Sequence, residues 1–265
     1  MNSADKVADR LNNQVMAQVK KEFPTATFKK FIVVTHSMGG LVAHALIQNA
    51  KVKDKIAGVV HGVCLPAVYQ RLTVGWDGWK ASTGLMNSVK AWATKFMFGD
   101  TSERLTAVLA SASGALELLP FANYSNAADF PKTPKARLIL KANTPAGEII
   151  ESLPKMNDPY NEIYKRKDCW WAMINPDFID PAGIIADQVK KEKLGGIFDV
   201  HINNIVTARK LHDHIKDCYY SNSYAHYGAD QEHKAFGQVV WRCKEMLNIS
   251  SESELIELMA LHRII

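Results

Sequence analysis

Apolar positions recur at helical spacing near the start of the chain. Val7, Leu11, Val15, Met16 and Val19 fall three to four residues apart and predict an amphipathic helix over 4–22. Pro24 ends it. Phe31-Ile-Val-Val34 then forms a short run with no polar interruption. Such a run predicts a strand covered on both faces, as in a parallel sheet. Residues 40–50 predict a helix, and Ile56–Val60 a second buried strand. The order helix, strand, helix, strand predicts an α/β architecture.

The pattern changes over residues 67–130. Trp76, Trp79, Trp92, Phe96, Met97 and Phe98 stand among small residues and lysines, and predict a helical, strand-poor layer. The Trp-rich stretch 75–98 suits a lid that opens onto lipid. Core packing of an inserted helical layer suits it slightly better, because aromatics at helical spacing usually face inward. Residues 136–142 and 147–153 flank Asn-Thr-Pro-Ala-Gly and predict a hairpin. Residues 157–182 are rich in Pro, Trp and Asp and predict irregular structure. A helix is expected over 200–216, a strand over Ser223–Tyr227 and a helix over 231–247. The expected organisation is one α/β domain over 1–265, a parallel sheet flanked by helices, with a mostly helical cap inserted at 67–182.

Composition narrows the function classes. A chain of 265 residues that is 47% apolar can bury a substantial core. Lys and Arg number 32 against 27 acids, and the resulting +5 is mild for this length. It would favour an anionic lipid surface, but no nucleic-acid motif accompanies it, so a DNA or RNA partner is not expected. The polar start lacks the apolar run of a signal peptide, and no stretch approaches the ~18 apolar residues of a membrane span. Cys64, Cys169, Cys218 and Cys243 form no C-x-x-C pair, which fits reduced thiols in a chain made in the cytoplasm.

The chemistry concentrates at Val34-Thr35-His36-Ser37-Met38-Gly39-Gly40. An apolar strand runs straight into this segment, and a helix with Leu41, Val42, Ala45 and Leu46 runs straight out. That is the setting of a nucleophile elbow, in which a serine on a strained turn stands clear of the sheet. Residues two away must be small, because strand and helix nearly touch there. Gly39 and Gly40 meet the need on the helix side, and Thr35 stands where the usual pattern has Gly. Ser37 then lies at a helix N-terminus, where the Met38 N–H can face a developing oxyanion. The blander alternative is a serine that caps an ordinary helix.

The elbow, followed by Val59-Val-His-Gly-Val-Cys-Leu-Pro-Ala67, resembles bacterial lipase-like α/β-hydrolases. The nearest resemblance is to phospholipase effectors of type VI secretion, related to LCAT-like lipases. Similar stretches are Gly114–Pro120, Asp158–Tyr164, Ile174–Pro181 and Tyr224–Asp230, so the resemblance covers about 28–245. It implies hydrolysis of a carboxylic ester in a lipid, without metal or organic cofactor. It also implies contact with a membrane surface, signal-independent export and an immunity protein as partner. Two departures stand out. Few residues precede the elbow where the fold has several strands, and the usual acid–histidine segment is not recognisable. The expected core is therefore incomplete at both ends, and a catalytically incomplete fragment or binding module is the competing expectation.

Partners for Ser37 should follow in the order acid, then histidine. His36 adjoins the nucleophile, and His44 and His61 precede any plausible acid. His201, His212 and His214 fall on the expected helix over 200–216, and His262 has no supporting context. His226, in a strand beside Tyr224 and Tyr227, is the best in-chain candidate base. Asp180 and Asp199 precede it, but neither follows a clear core strand. His212, Asp213, His214 and His226 carry no recognised metal-ligand spacing, so no metal is expected.

Overall fold

A computed structural model describes residues 2–62, 67–74, 101–121, 138–226 and 239–246. The chain divides into two compact units, one of Met1–Leu65 with Arg209–Ala235, the other of Pro66–Ala208 with Phe236–Ile265.

The first unit opens with helix α1 (Asn2–Arg10), which continues through a π-helical turn at Leu11–Val15 into α2 (Met16–Glu22). Strand β1 (Phe31–Thr35) follows, then α3 (Gly39–Leu46) and β2 (Ile56–Gly62). Among the described residues, strand β5 (Ser223–His226) joins β1 and β2 in a three-stranded parallel sheet in the order β1-β2-β5. Its register aligns Thr35 with His61 and His61 with Ala225. Ala8, Ala43, Leu46, Val52, Ile56 and Val59 form the core cluster. Alanines at Ala4, Ala8, Ala43 and Ala45 let α1 and α3 approach closely. Asp5 accepts from the Asn49 amide at 2.8 Å, and Asp9 binds the Lys51 ammonium at 2.6 Å, fixing α1 to the end of α3.

Segment 220–222 docks on β2. The Tyr220 hydroxyl donates to Ile56 O at 2.6 Å, and Val59 N–H donates to Asn222 O at 3.1 Å. A Cβ added at Gly58 would meet Asn222 O at 3.2 Å, which explains the glycine there.

Strand β1 departs from the expectation of cover on both faces. Burial alternates along it, with Ile32 and Val34 left 70% and 69% exposed. An apolar run shows that a strand tolerates burial; whether a second layer arrives depends on the rest of the chain. Replacing Ile32 and Val34 together by Thr should therefore change stability by less than about 0.5 kcal/mol, since Thr keeps β-branching and no cavity forms. Urea denaturation checks this, and a loss of several kcal/mol would show that the face is covered.

The second unit holds α4 (Ala67–Val74), α5 (Ser102–Leu109) and α6 (Ser113–Leu116). Its sheet has the order β4-β3-β6, from β3 (Leu138–Thr144), β4 (Gly147–Leu153) and β6 (Val239–Met246). β3 and β4 form the expected hairpin, and Gly147, at φ +128, closes its turn. Over 239–246, the described part of the helix expected at 231–247, β6 corrects the sequence reading. Its Glu, Lys and Met favour helix, yet Val239 to Trp241 pair in parallel with Leu138 to Leu140. Tertiary pairing overrides a weak local preference.

Residues 157–182 are irregular in secondary structure, as expected, but they supply the centre of this core. Trp171, Met173, Ile174, Ile163 and Tyr164 are all fully buried. The Tyr69 hydroxyl donates to Trp171 O at 3.2 Å and accepts from the Trp241 indole at 3.3 Å. Helices α7 (Ala186–Lys191) and α8 (Ile197–Ile215) follow. The Trp-rich stretch 75–98 lies outside the described residues.

Candidate active site

β1 ends at Thr35, and within four residues the chain has turned into α3. The turn is made at Ser37, whose φ is +56. A side-chain-bearing residue in this left-handed region costs on the order of 1–3 kcal/mol and persists only where its surroundings enforce it. Here they do. Gly39 N–H donates to His36 O at 3.0 Å, Gly40 N–H to Ser37 O at 2.9 Å and Leu41 N–H to Met38 O at 3.1 Å. Met38, at φ −53 and ψ −23, is the cap of α3, and its thioether side chain makes no capping bond. Ser37 does not have the extended backbone of an N-cap serine, so the capping alternative loses its main support.

The hydrogen bonds of the turn begin at Gly39, which leaves the Met38 N–H at the mouth of α3. Thr35 is accommodated because its hydroxyl donates to Val60 O at 3.2 Å. The glycines are less constrained than expected. A Cβ at Gly39 would stand 3.6 Å from Thr35 Cβ, and one at Gly40 would lie 3.9 Å from Thr35 Oγ1. Both are ordinary contacts, so close approach does not by itself demand glycine. Gly39→Ala should hold or raise stability by about 0.5–1 kcal/mol, the usual helical gain. Thermal melting checks this, and a marked loss would show that strand and helix lie closer.

Three parallel strands bring their C-terminal ends to the same edge as this turn. Ligands in open α/β sheets bind outside that edge. His61 pairs with Thr35 across β1 and β2, and His226 pairs with Gly62 across β2 and β5. His226 is exposed and its backbone lies two strand spacings from β1, roughly 10 Å. His226 and Tyr224 share the face of Ile32 and Val34, opposite to that of Thr35 and His61.

The remaining candidates fall elsewhere. The Asp180 carboxylate accepts from the Ile184 and Ile185 amides at 2.8 and 2.9 Å, and Asp199 accepts from Gly196 N–H at 3.1 Å as α8 begins. Both acids thus serve their own loops. His201 is fully buried, with Nε2 bonded to Tyr164 O at 3.0 Å, and burial lowers its pKa. His212 is buried, and the His214 carbonyl accepts from the Gln48 amide at 3.2 Å. His262, and His233, which the sequence reading passes over, lie outside the described residues. Among the described residues, no group of three His, Cys, Asp or Glu side chains is placed to hold a metal.

The structure also joins two histidines that the sequence reading sets aside. His44 on α3 and His61 on β2 stack with ring centroids 4.6 Å apart. The packing of α3 against β2 brings them together, and no motif announces it.

A parallel α/β sheet whose first strand turns into a helix through a left-handed serine defines the class of this unit. The chain is similar to the Tle4 chain in the solved Tle4–Tli4 complex, with 29% identity and a TM-score of 0.67 over 90% of this chain. It spans 44% of that chain's length. No protein-family model matches the chain, and no curated protein does. Among the described residues, no helix is long and apolar enough to cross a membrane.

Proposed function

We propose that this chain carries the nucleophile of a serine-dependent carboxylic ester hydrolase of the α/β-hydrolase type, acting on lipid esters. The observation that carries this reading is Ser37 at φ +56, between a parallel strand and the helix that follows it. The likeness to Tle4 and the resemblance of the elbow to type VI lipase effectors support it.

In this reading the Ser37 hydroxyl attacks the ester carbonyl and loses its proton to a base. The Met38 N–H donates to the oxyanion, the alcohol leaves, and water releases the acid from the acyl-enzyme. The required order of acid and histidine directs attention to the segment after β5. His226 ends that strand, and Asp230 and His233 follow it in the sequence. No metal or organic cofactor enters this chemistry. Tle4 was solved with Tli4, and a neutralising protein partner is the corresponding proposal for this chain, with export into a target cell.

A second reading has its own observation. Among the described residues, the unit holding Ser37 has a three-stranded sheet with an exposed apolar face. That favours a binding module that keeps the elbow without turnover. Fatty-acid release from phospholipid vesicles separates the two. The first reading expects release by the wild type and none by Ser37→Ala; equal release by both, or none by either, favours the second.

A further inference from the structure

Helix α3, which starts at the serine turn, is tied to β2 by more than apolar packing. The His44 and His61 rings stack 24° from parallel. His44 Nδ1 lies 2.6 Å from Cys218 O, so it carries a proton and donates to that carbonyl. Tyr219 meets the His44 ring edge-on at 5.2 Å. His61 Nε2 is buried and, among the described residues, has no hydrogen-bond partner. The cluster therefore joins α3, β2 and the segment before β5 at one point, with Thr35 in register beside it.

We infer that His44 and His61 form a proton-sensitive latch beneath the serine turn, closed while the His61 ring is neutral and loosened when it takes up a proton. Two features make the neutral form the one that fits. Stacked imidazoles can be close when uncharged but repel when both are cationic. A proton on His61 Nε2 would sit in a buried position with no acceptor among the described residues, a costly arrangement.

Among the described residues, the other titratable groups around the pair do not offset that charge. Tyr219 presents a ring edge, and the Cys218 thiol donates to His214 O at 3.4 Å. On α1, which packs against α3, Asp5 and Asp9 are engaged by Asn49 and Lys51. Burial, and secondarily the charge of His44, lower the His61 pKa from its ordinary 6.5. The sign follows by linkage. A ring with a lower pKa folded than unfolded binds its proton more readily in the unfolded chain. Stability is unaffected well above pH 6.5 and falls as pH drops from there toward the folded pKa. Each unit of depression is about tenfold in the unfolding equilibrium.

The test is independent of any activity at Ser37. In the full chain, the His61 ring and the Gly39 and Gly40 amides are followed by NMR between pH 8 and 5, in wild type and in His61→Phe. Phe keeps the stack and removes the titration. The wild-type His61 ring is expected to titrate below 6.5, with both glycine amides moving in step. In His61→Phe that component should vanish, and the loss of stability from pH 7.5 to 5.5 should shrink. Identical glycine titrations in the two proteins would overturn the latch. So would a wild-type His61 ring that titrates at 6.5 or above, a result that needs no variant.

Discussion

Ser37→Gly is expected to raise stability while erasing ester hydrolysis. At φ +56 a serine pays for a backbone conformation that glycine adopts freely. Relief of that strain outweighs the extra chain entropy of glycine in the unfolded state, for a net gain of roughly 0.5–1 kcal/mol. The same change removes the attacking oxygen. Loss of a serine nucleophile lowers turnover by on the order of 10³–10⁶, leaving only what the oxyanion donor and binding supply. Urea denaturation and ester turnover on one preparation measure both effects. A variant less stable than wild type would mean that Ser37 is unstrained, and the elbow would lose its main support.

The largest expected effect on stability lies in the second unit. Trp171 is 1% exposed, and its carbonyl accepts the Tyr69 hydroxyl, which in turn takes the Trp241 indole proton. Trp171→Ala removes the indole from the middle of a cluster that includes Leu138, Leu140, Tyr164 and Met173. Large-to-small changes of this kind cost about 3–5 kcal/mol in lost burial and residual cavity. Against a total stability of about 5–15 kcal/mol, this unit should lose cooperative folding near physiological temperature. Calorimetry and near-ultraviolet dichroism read the loss. A shift in melting of only a degree or two would show that the tryptophan is not a core residue.

Strand β1, the serine turn and α3 were legible because local pattern decides them. A continuous apolar run, small residues after the serine and a helical periodicity all agree over fewer than about 20 residues, and agreement across levels is what makes a segment readable. β6 was not legible, because its partner β3 lies far away in sequence and Arg242, Lys244 and Glu245 favour helix locally. The tryptophans at 170 and 171 read as loop residues because the core they fill has no periodicity of its own. The exposed face of β1 was illegible for the opposite reason: Ile32 and Val34 look the same whether or not something covers them.

The candidate site divides along the same line. Ser37 and the Met38 N–H are properties of one turn, and the sequence contains that turn. The His44–His61 stack depends on the packing of α3 against β2, and the separation of His226 from β1 depends on strand order. Neither can be inferred from spacing along the chain.

The most direct measurement is covalent. A fluorophosphonate probe reacts with a serine only when its hydroxyl is activated and the resulting oxyanion is held. Incubated with the full chain near neutral pH and mapped by mass spectrometry, the probe should occupy Ser37 alone among the serines. It should be lost in Ser37→Ala. A folded wild-type chain that takes up no probe, or takes it up at another serine, would contradict Ser37 as an activated nucleophile.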